Sequence, residues 1–317
     1  MALRSPNLLG YRSVLDILEL DLERMNEGID SVEACAKLIL CGEHFVLHGA
    51  PAIALPLPSL RLRLERGDAG ELEPSLLLAW NAARSEVGLG PSRGFPFLIR
   101  SGIPRGVGLG SSAALAVALV KAATIEAGRM AEPLDVAGMA TTVEDVFHGN
   151  SSGLDPTVVA VGRLVLWRGK GEIETVSWDL RGTSLLVARI PSEGTTGEAV
   201  ERSLAFAATK PEAFAKLLAE ARELSGTIAG AVSRDSPGSR HTVGKALSRY
   251  HRMLSEIGVS CASLNALVES AEGAGAYGAK LTGAGLGGCM MALTDMDGAD
   301  PVEKALKAAG AMEVIRT

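Results

Sequence analysis

Three stretches of the 317-residue chain concentrate side chains that can do chemistry: "KLILCGEHFVLHG" (37–49), "GVGLGSSAA" (106–114) and "EDVFHGNSSGLD" (144–155). The middle one sets Gly106, Gly108 and Gly110 around Leu109, then Ser111 and Ser112, directly ahead of an alanine- and leucine-rich run. A glycine-rich turn feeding a helix presents unpaired backbone N–H groups at the positive end of the helix dipole. Without Cβ atoms in the way, a phosphate can approach them closely. The pattern is neither GxxxxGK[ST] nor a dinucleotide fingerprint, so a phosphate site here is of another design. A Mg2+ ion carried by nucleotide phosphates needs only one or two carboxylates and a hydroxyl, which Glu144 and a serine of 111–112 supply. Asp155 is then left to act on a hydroxyl, with Lys37, Glu43 and His44 clustered at a strand-to-loop junction. Taken singly, these residues are equally what a tight turn, a solvated charge or a loop histidine looks like, and the signal lies in their combination.

These residues need elements to hold them. "AKLIL" (36–40) and "LRLRLE" (60–65) read as strands, the second by alternation of leucine with charge. The run after Ser112 is apolar almost all round, which predicts a buried central helix that keeps the glycine turn still. Pro133 opens a helix whose face carries Val136, Ala137, Ala140, Val143 and Phe147 and which places Glu144 near its end. Pro156 predicts an extended backbone for Asp155 before it. "RLVLW" (163–167) and "SLLVARI" (184–190) return to strand patterning, followed by helices over about 211–232, 242–256 and 261–274. An amphipathic helix is expected over 11–27, and "SRDSPGSR" (233–240) reads as a loop.

The chain is long enough for two domains. It is 47% hydrophobic but only 4% aromatic, so its interior must be packed mainly with alanine, leucine, valine and glycine. A net charge of -6 with no basic block excludes a broad nucleic-acid footprint. Cys35, Cys41, Cys261 and Cys289 show neither zinc nor disulfide spacing and are expected to be reduced, as in a cytoplasmic protein. The N-terminus lacks the apolar core of a signal peptide, and no run is long enough to span a bilayer, so no membrane partner is expected.

Together with "AKLTGAGLGGCMMAL" (279–293), these stretches, in this order and spacing, resemble the motif set of the GHMP kinase superfamily. The GEH…HG pairing resembles its mevalonate kinase branch in particular. The resemblance covers about residues 31–317. It implies an α+β, two-domain fold with the active site in the cleft between the domains. The N-terminal α/β domain would be of the ribosomal protein S5 domain 2-like kind (31–189) and the C-terminal domain ferredoxin-like (190–317), after a helical extension (1–30) outside the resemblance.

The implied activity is ATP-dependent phosphorylation of mevalonate, with ATP and Mg2+ as cofactors, a small-molecule acceptor, and a possible homodimer. By motif match Gly106, Gly108, Leu109, Gly110, Ser111 and Ser112 wrap the ATP phosphates. Ser112 and Glu144 bind Mg2+, and Asp155 is the base with Lys37 beside it. Glu43, His44, Thr196 (from "EGTTGEAV", 193–200), Thr282, Gly283 and Ala284 meet the substrate. Asp155 as full base and Asp155 as a group that only polarises the hydroxyl both stay open. The chain departs from the pattern at Cys35-Ala36, where Pro-Gly is usual, and at Leu286, where glycine is commoner. Alternatives are a sister kinase of phosphomevalonate, a decarboxylase that first phosphorylates the tertiary hydroxyl, and a non-catalytic binding protein of the same fold.

Overall fold

β1 (Ser31–Cys41) and β2 (Ala52–Arg66) pair antiparallel and form the frame of the first sheet. In the second half of β2, Leu62 and Leu64 turn inward while Arg61 and Arg63 face out. There both arginines reach Glu33 on the neighbouring strand, a cross-strand charge ladder of the kind that fixes register. The first half, from Ala52 to Leu55, is buried on both faces and so shows no alternation. The structure, a computed structural model, describes residues 30–67, 73–149, 151–169, 172–178, 182–234, 236 and 238–317. The helix expected over 11–27, and all but Asp30 of the predicted extension, lie outside these residues.

The chain continues through α1 (Pro74–Glu86), β3 (Phe97–Ser101), α2 (Ser111–Glu126), α3 (Pro133–His148), α4 (Leu154–Val161), β4 (Leu164–Trp167) and β5 (Ile173–Val176). The sheet order is β1-β2-β4-β5, with β3 pairing farther along β2, and every pairing is antiparallel. α2 is buried around its circumference, from Ala113 to Thr124, and packs against β1, α1, α3 and α4, as its unbroken apolar sequence requires.

The second half comprises β6 (Thr183–Ile190), α5 (Thr196–Thr209), α6 (Pro211–Arg234), α7 (Ser239–Glu256), α8 (Ala262–Gly273), β7 (Gly278–Thr282), β8 (Gly288–Asp295), α9 (Ala299–Ala308) and β9 (Glu313–Arg316). Its antiparallel sheet runs β7-β8-β6-β9. β6 belongs to this sheet, so the chain changes sheets between Val176 and Thr183, ahead of the expected 189/190 boundary. The helices of this half start only after that strand, at Thr196.

β7 is an edge strand, and α7 covers its free side. Ala279 N–H donates to Ser248 Oγ (3.4 Å) and Leu281 N–H to His251 Nδ1 (3.2 Å). The core is continuous across the two halves, from Leu38 and Leu119 to Met253 and Met291. No described helix is long and apolar enough to cross a membrane.

Candidate active site

The glycine turn is held from below by β1. Lys37 N–H donates to Leu109 C=O (3.0 Å), and the Lys37 stem runs so close under the turn that a Cβ on Gly110 would lie 2.7 Å from its Cγ. Gly110 is the N-cap of α2 in left-handed geometry (φ 75°, ψ 33°), which aims the N–H groups of Ser111 and Ser112 outward from the helix start. Beyond the turn, Lys37 Nζ meets Asp155 Oδ2 at 2.7 Å. The lysine side chain is 3% exposed and the aspartate 29%, so the carboxylate is the member of the pair that opens to solvent.

Asp155 is helical. It occupies the first turn of α4, which starts from Gly153 in left-handed geometry. The expected extended backbone is therefore corrected: Pro156 also lies in that first turn, where its missing N–H would have had no partner, and the helix start outweighs the pre-proline preference.

Glu144, on α3, faces the same opening. Ser112 Oγ donates to its Oε1 (3.1 Å) and Ser151 Oγ to its Oε2. Burial, and next the charge of Asp155, push its carboxyl up to about 7. A buried carboxylate next to a serine hydroxyl, repelled by a second carboxylate, is a donor set that fits a divalent cation, whose charge would offset that repulsion. Among the described residues no three His, Cys, Asp or Glu side chains form a cage of their own.

The second glycine turn, following β7, packs against the first. Gly283 touches Gly108 so closely that a Cβ on either would lie 2.9–3.0 Å from the other's Cα, and thus only glycines let the two turns meet. His44 forms a γ-turn with positive φ (φ 61°, ψ −47°), in which Phe45 N–H donates to Glu43 C=O at 2.6 Å. Such strained backbone is found at sites. His44 Nε2 donates to Ala284 C=O at 2.7 Å, burial pushes the ring's pKa down, and Nδ1 has no hydrogen-bond partner among the described residues.

Two other expected contacts, Glu43 and Thr282, face the protein. Glu43 is sealed in an ion pair with Lys280 of β7, and the Thr282 hydroxyl bridges the backbone N–H and C=O of Ile39 (3.4 and 3.3 Å). Thr196 is exposed at the start of α5, after the N-cap Thr195, and none of its hydrogen bonds among the described residues reaches the cluster. Cys35-Ala36 falls at a register shift between β1 and β2, one residue before Lys37.

Two regions match family descriptions, "GHMP kinases N terminal domain" over residues 76–163 and "GHMP kinases C terminal" over 228–311. The mevalonate kinase of Thermococcus sibiricus is 32% identical, covering 89% of this chain and 94% of that protein. The chain belongs to the GHMP kinase family. The mevalonate kinase of Pyrococcus horikoshii is 33% identical, over 89% of this chain and 93% of the relative. Among solved structures, L. major mevalonate kinase in complex with R-mevalonate superposes with a TM-score of 0.79 at 25% identity, covering 91% of this chain and 95% of that one. A Streptococcus pneumoniae phosphomevalonate kinase shares the fold (TM-score 0.74, 19% identity; 91% and 100% covered).

In this GHMP kinase the sequence motifs pick out Lys37, Ser112, Glu144, Asp155 and both glycine turns, which the fold brings together. They miss Ser151, whose only signal is its place in the sequence "NSSG", and Lys280, whose partner lies 237 residues away. They also leave open the conformation of Leu286, which takes φ +55° among glycines.

Proposed function

We propose that this GHMP kinase transfers the γ-phosphoryl group of ATP to the primary 5-hydroxyl of mevalonate, giving 5-phosphomevalonate and ADP. The observation that carries the reading is the Lys37–Asp155 pair at 2.7 Å, directly beyond the turn where the phosphates would lie. Asp155 accepts the hydroxyl proton as the oxygen bonds to the γ-phosphorus and the bond to the ADP oxygen breaks. Lys37 holds the Asp155 carboxylate in place and adds positive charge beside the transferring group. The N–H groups from Gly106 to Ser112 hold the phosphates in line, and such positioning with charge neutralisation is most of what phosphoryl transfer asks of a protein. Ser112 and Glu144 would hold a Mg2+ ion, which supplies charge neutralisation on the phosphate oxygens.

His44, through Nδ1, and Thr196 belong to the acceptor side; Gly283 and Ala284 bring their turn against both halves. Glu43 and Thr282 act on the substrate through the backbone they fix. An acceptor that already carried a phosphate would call for extra cations. Residues 43–48 and 192–198 contain neither Lys nor Arg, and the nearby Lys280 is already committed to Glu43.

The test is a turnover panel with ATP, Mg2+ and mevalonate, 5-phosphomevalonate, homoserine or galactose, reading ADP and locating the new phosphate by NMR. ADP with 5-phosphomevalonate from mevalonate alone is the expected result. Phosphate on the tertiary oxygen, or preference for another acceptor, would overturn the acceptor assignment. In the same assay Ser112→Ala should raise the KM for ATP and regain part of the loss at higher Mg2+; insensitivity to Mg2+ would remove Ser112 from the metal site.

A further inference from the structure

Leu286 stands where the backbone disfavours it. It takes φ +55°, in a turn whose other left-handed residues, Gly283, Gly285, Gly287 and Gly288, lack the Cβ that such a conformation crowds. Its side chain is nevertheless buried, at 3% exposure. Its two backbone groups are spent in opposite directions: Leu286 N–H donates to Val259 C=O at 2.8 Å, and Leu286 C=O accepts from Glu193 N–H at 2.7 Å. The side chain lies over Gly194, where an added Cβ would fall 2.8 Å from Leu286 Cδ1 and 3.3 Å from its Cβ.

Gly194 leads into Thr195, which caps α5 through a reciprocal pair with Glu198, and so into Thr196. On the other side, the turn that carries Leu286 touches the phosphate loop at Gly108 and takes the His44 bond on Ala284 C=O. A residue held in a disfavoured conformation persists when its surroundings over-determine it, and here they do so on both flanks.

We infer that Leu286 is a positioning residue for the acceptor: wedged against Gly194, it holds the 191–195 turn, and with it the start of α5, onto the glycine turn that meets the phosphate loop. The inference rests on the reading of the α5 start as part of the acceptor side. Removing the wedge frees that turn without touching the groups that hold ATP, so the acceptor KM and the ATP KM separate.

The experiment compares the full chain with Leu286→Gly, Leu286→Ala and Gly194→Ala, measuring both KM values, kcat, thermal midpoint and hydrogen exchange at the Glu193 amide. Leu286→Gly removes the backbone penalty with the side chain, and Leu286→Ala removes the side chain alone. Gly194→Ala keeps the wedge but pushes on it, and also on Glu198 Oε2, 2.8 Å from the new Cβ. The acceptor KM should rise about tenfold in both Leu286 variants and by a smaller factor in Gly194→Ala, with the ATP KM within about twofold and Glu193 exchanging faster.

An acceptor KM within about twofold of wild type in folded variants, or an equal rise in both KM values, overturns the inference. If a Leu286 variant fails to fold, Gly194→Ala decides by the same split. Wild type that ignores mevalonate sinks the proposed acceptor instead. The KM split is then read with the acceptor the panel identifies, and Glu193 exchange at the wild-type rate in the Leu286 variants still overturns the wedge.

Discussion

Two lysine–carboxylate pairs stand at the end of β1, and they differ in one respect. Lys37 and Asp155 meet at 2.7 Å with the carboxylate 29% exposed; Lys280 and Glu43 meet with side chains 0% and 2% exposed. In the first pair the lysine is buried and its partner opens to solvent, so the carboxylate keeps the acceptor capacity that the proposed proton transfer requires. In the second, burial pushes the Glu43 carboxyl up and the Lys280 ammonium down, each opposed by the charge of the other. Lys280 also donates to Ile39 C=O (3.4 Å), which ties β7 across to β1. The same pairing of lysine with carboxylate thus fits the proposed chemistry where one face is open, and joins the two halves where both are sealed.

The largest effect expected from breaking this contrast is on the open pair. Asp155→Asn keeps an oxygen to accept from Lys37 and removes the basicity, so kcat should fall about a thousandfold while the ATP KM stays within about threefold. Steady-state kinetics with a denaturation curve alongside read both. A variant that retains wild-type kcat would remove Asp155 from proton transfer and leave it only an orienting role. A change in unfolding free energy above about 2 kcal/mol would mean that the open pair is joinery too.

The sealed pair should respond the other way. Lys280→Met leaves Glu43 buried without a counter-charge and should lower unfolding free energy by about 3–5 kcal/mol. Adding Glu43→Leu should return most of it, because an apolar pair of similar volume has no charge to desolvate. Urea unfolding of the two single variants and the double gives the coupling directly. If the double variant is as unstable as Lys280→Met, the loss comes from packing and the ion pair is not what joins β7 to β1.

This contrast also divides what the sequence made legible from what it did not. The cluster of Lys37, Ser112, Glu144 and Asp155 could be read because its members lie in short motifs whose combination, order and spacing carry the signal that each lacks alone. The sealed pair could not, since Glu43 alone looks like a site residue and becomes structural only when β7 returns beside β1. α2 was readable from its unbroken apolar run, and α6 from the helical spacing of its apolar residues. The first half of β2 was not, because a strand covered on both faces loses its alternation. Asp155 shows a local rule yielding to another, the pre-proline preference giving way to a helix start at Gly153. At Leu286 the residue type was visible as a departure, but its left-handed backbone and the contact with Gly194 exist only in three dimensions.

A smaller effect should appear on the sealed side as pH falls. His251 lies behind β7, its Nδ1 accepting from Leu281 N–H and its Nε2 donating to Asn265 Oδ1 (3.1 Å), which fixes the neutral ring. Burial, and next the charge of Lys280, lower its pKa from 6.5 to about 4. A histidine whose folded pKa is depressed binds its proton more readily when unfolded, so its contribution is complete above pH 6.5 and is lost as pH falls toward 4. Over that window the loss amounts to about 3 kcal/mol. Carboxylates titrate near its lower end, and the informative quantity is therefore the difference between wild type and His251→Gln, whose side chain cannot take the proton. Unfolding curves between pH 7 and pH 4 should converge as the wild type loses this term. Parallel curves would mean that the ring is not held neutral, and that the interior behind β7 tolerates a second cation beside Lys280.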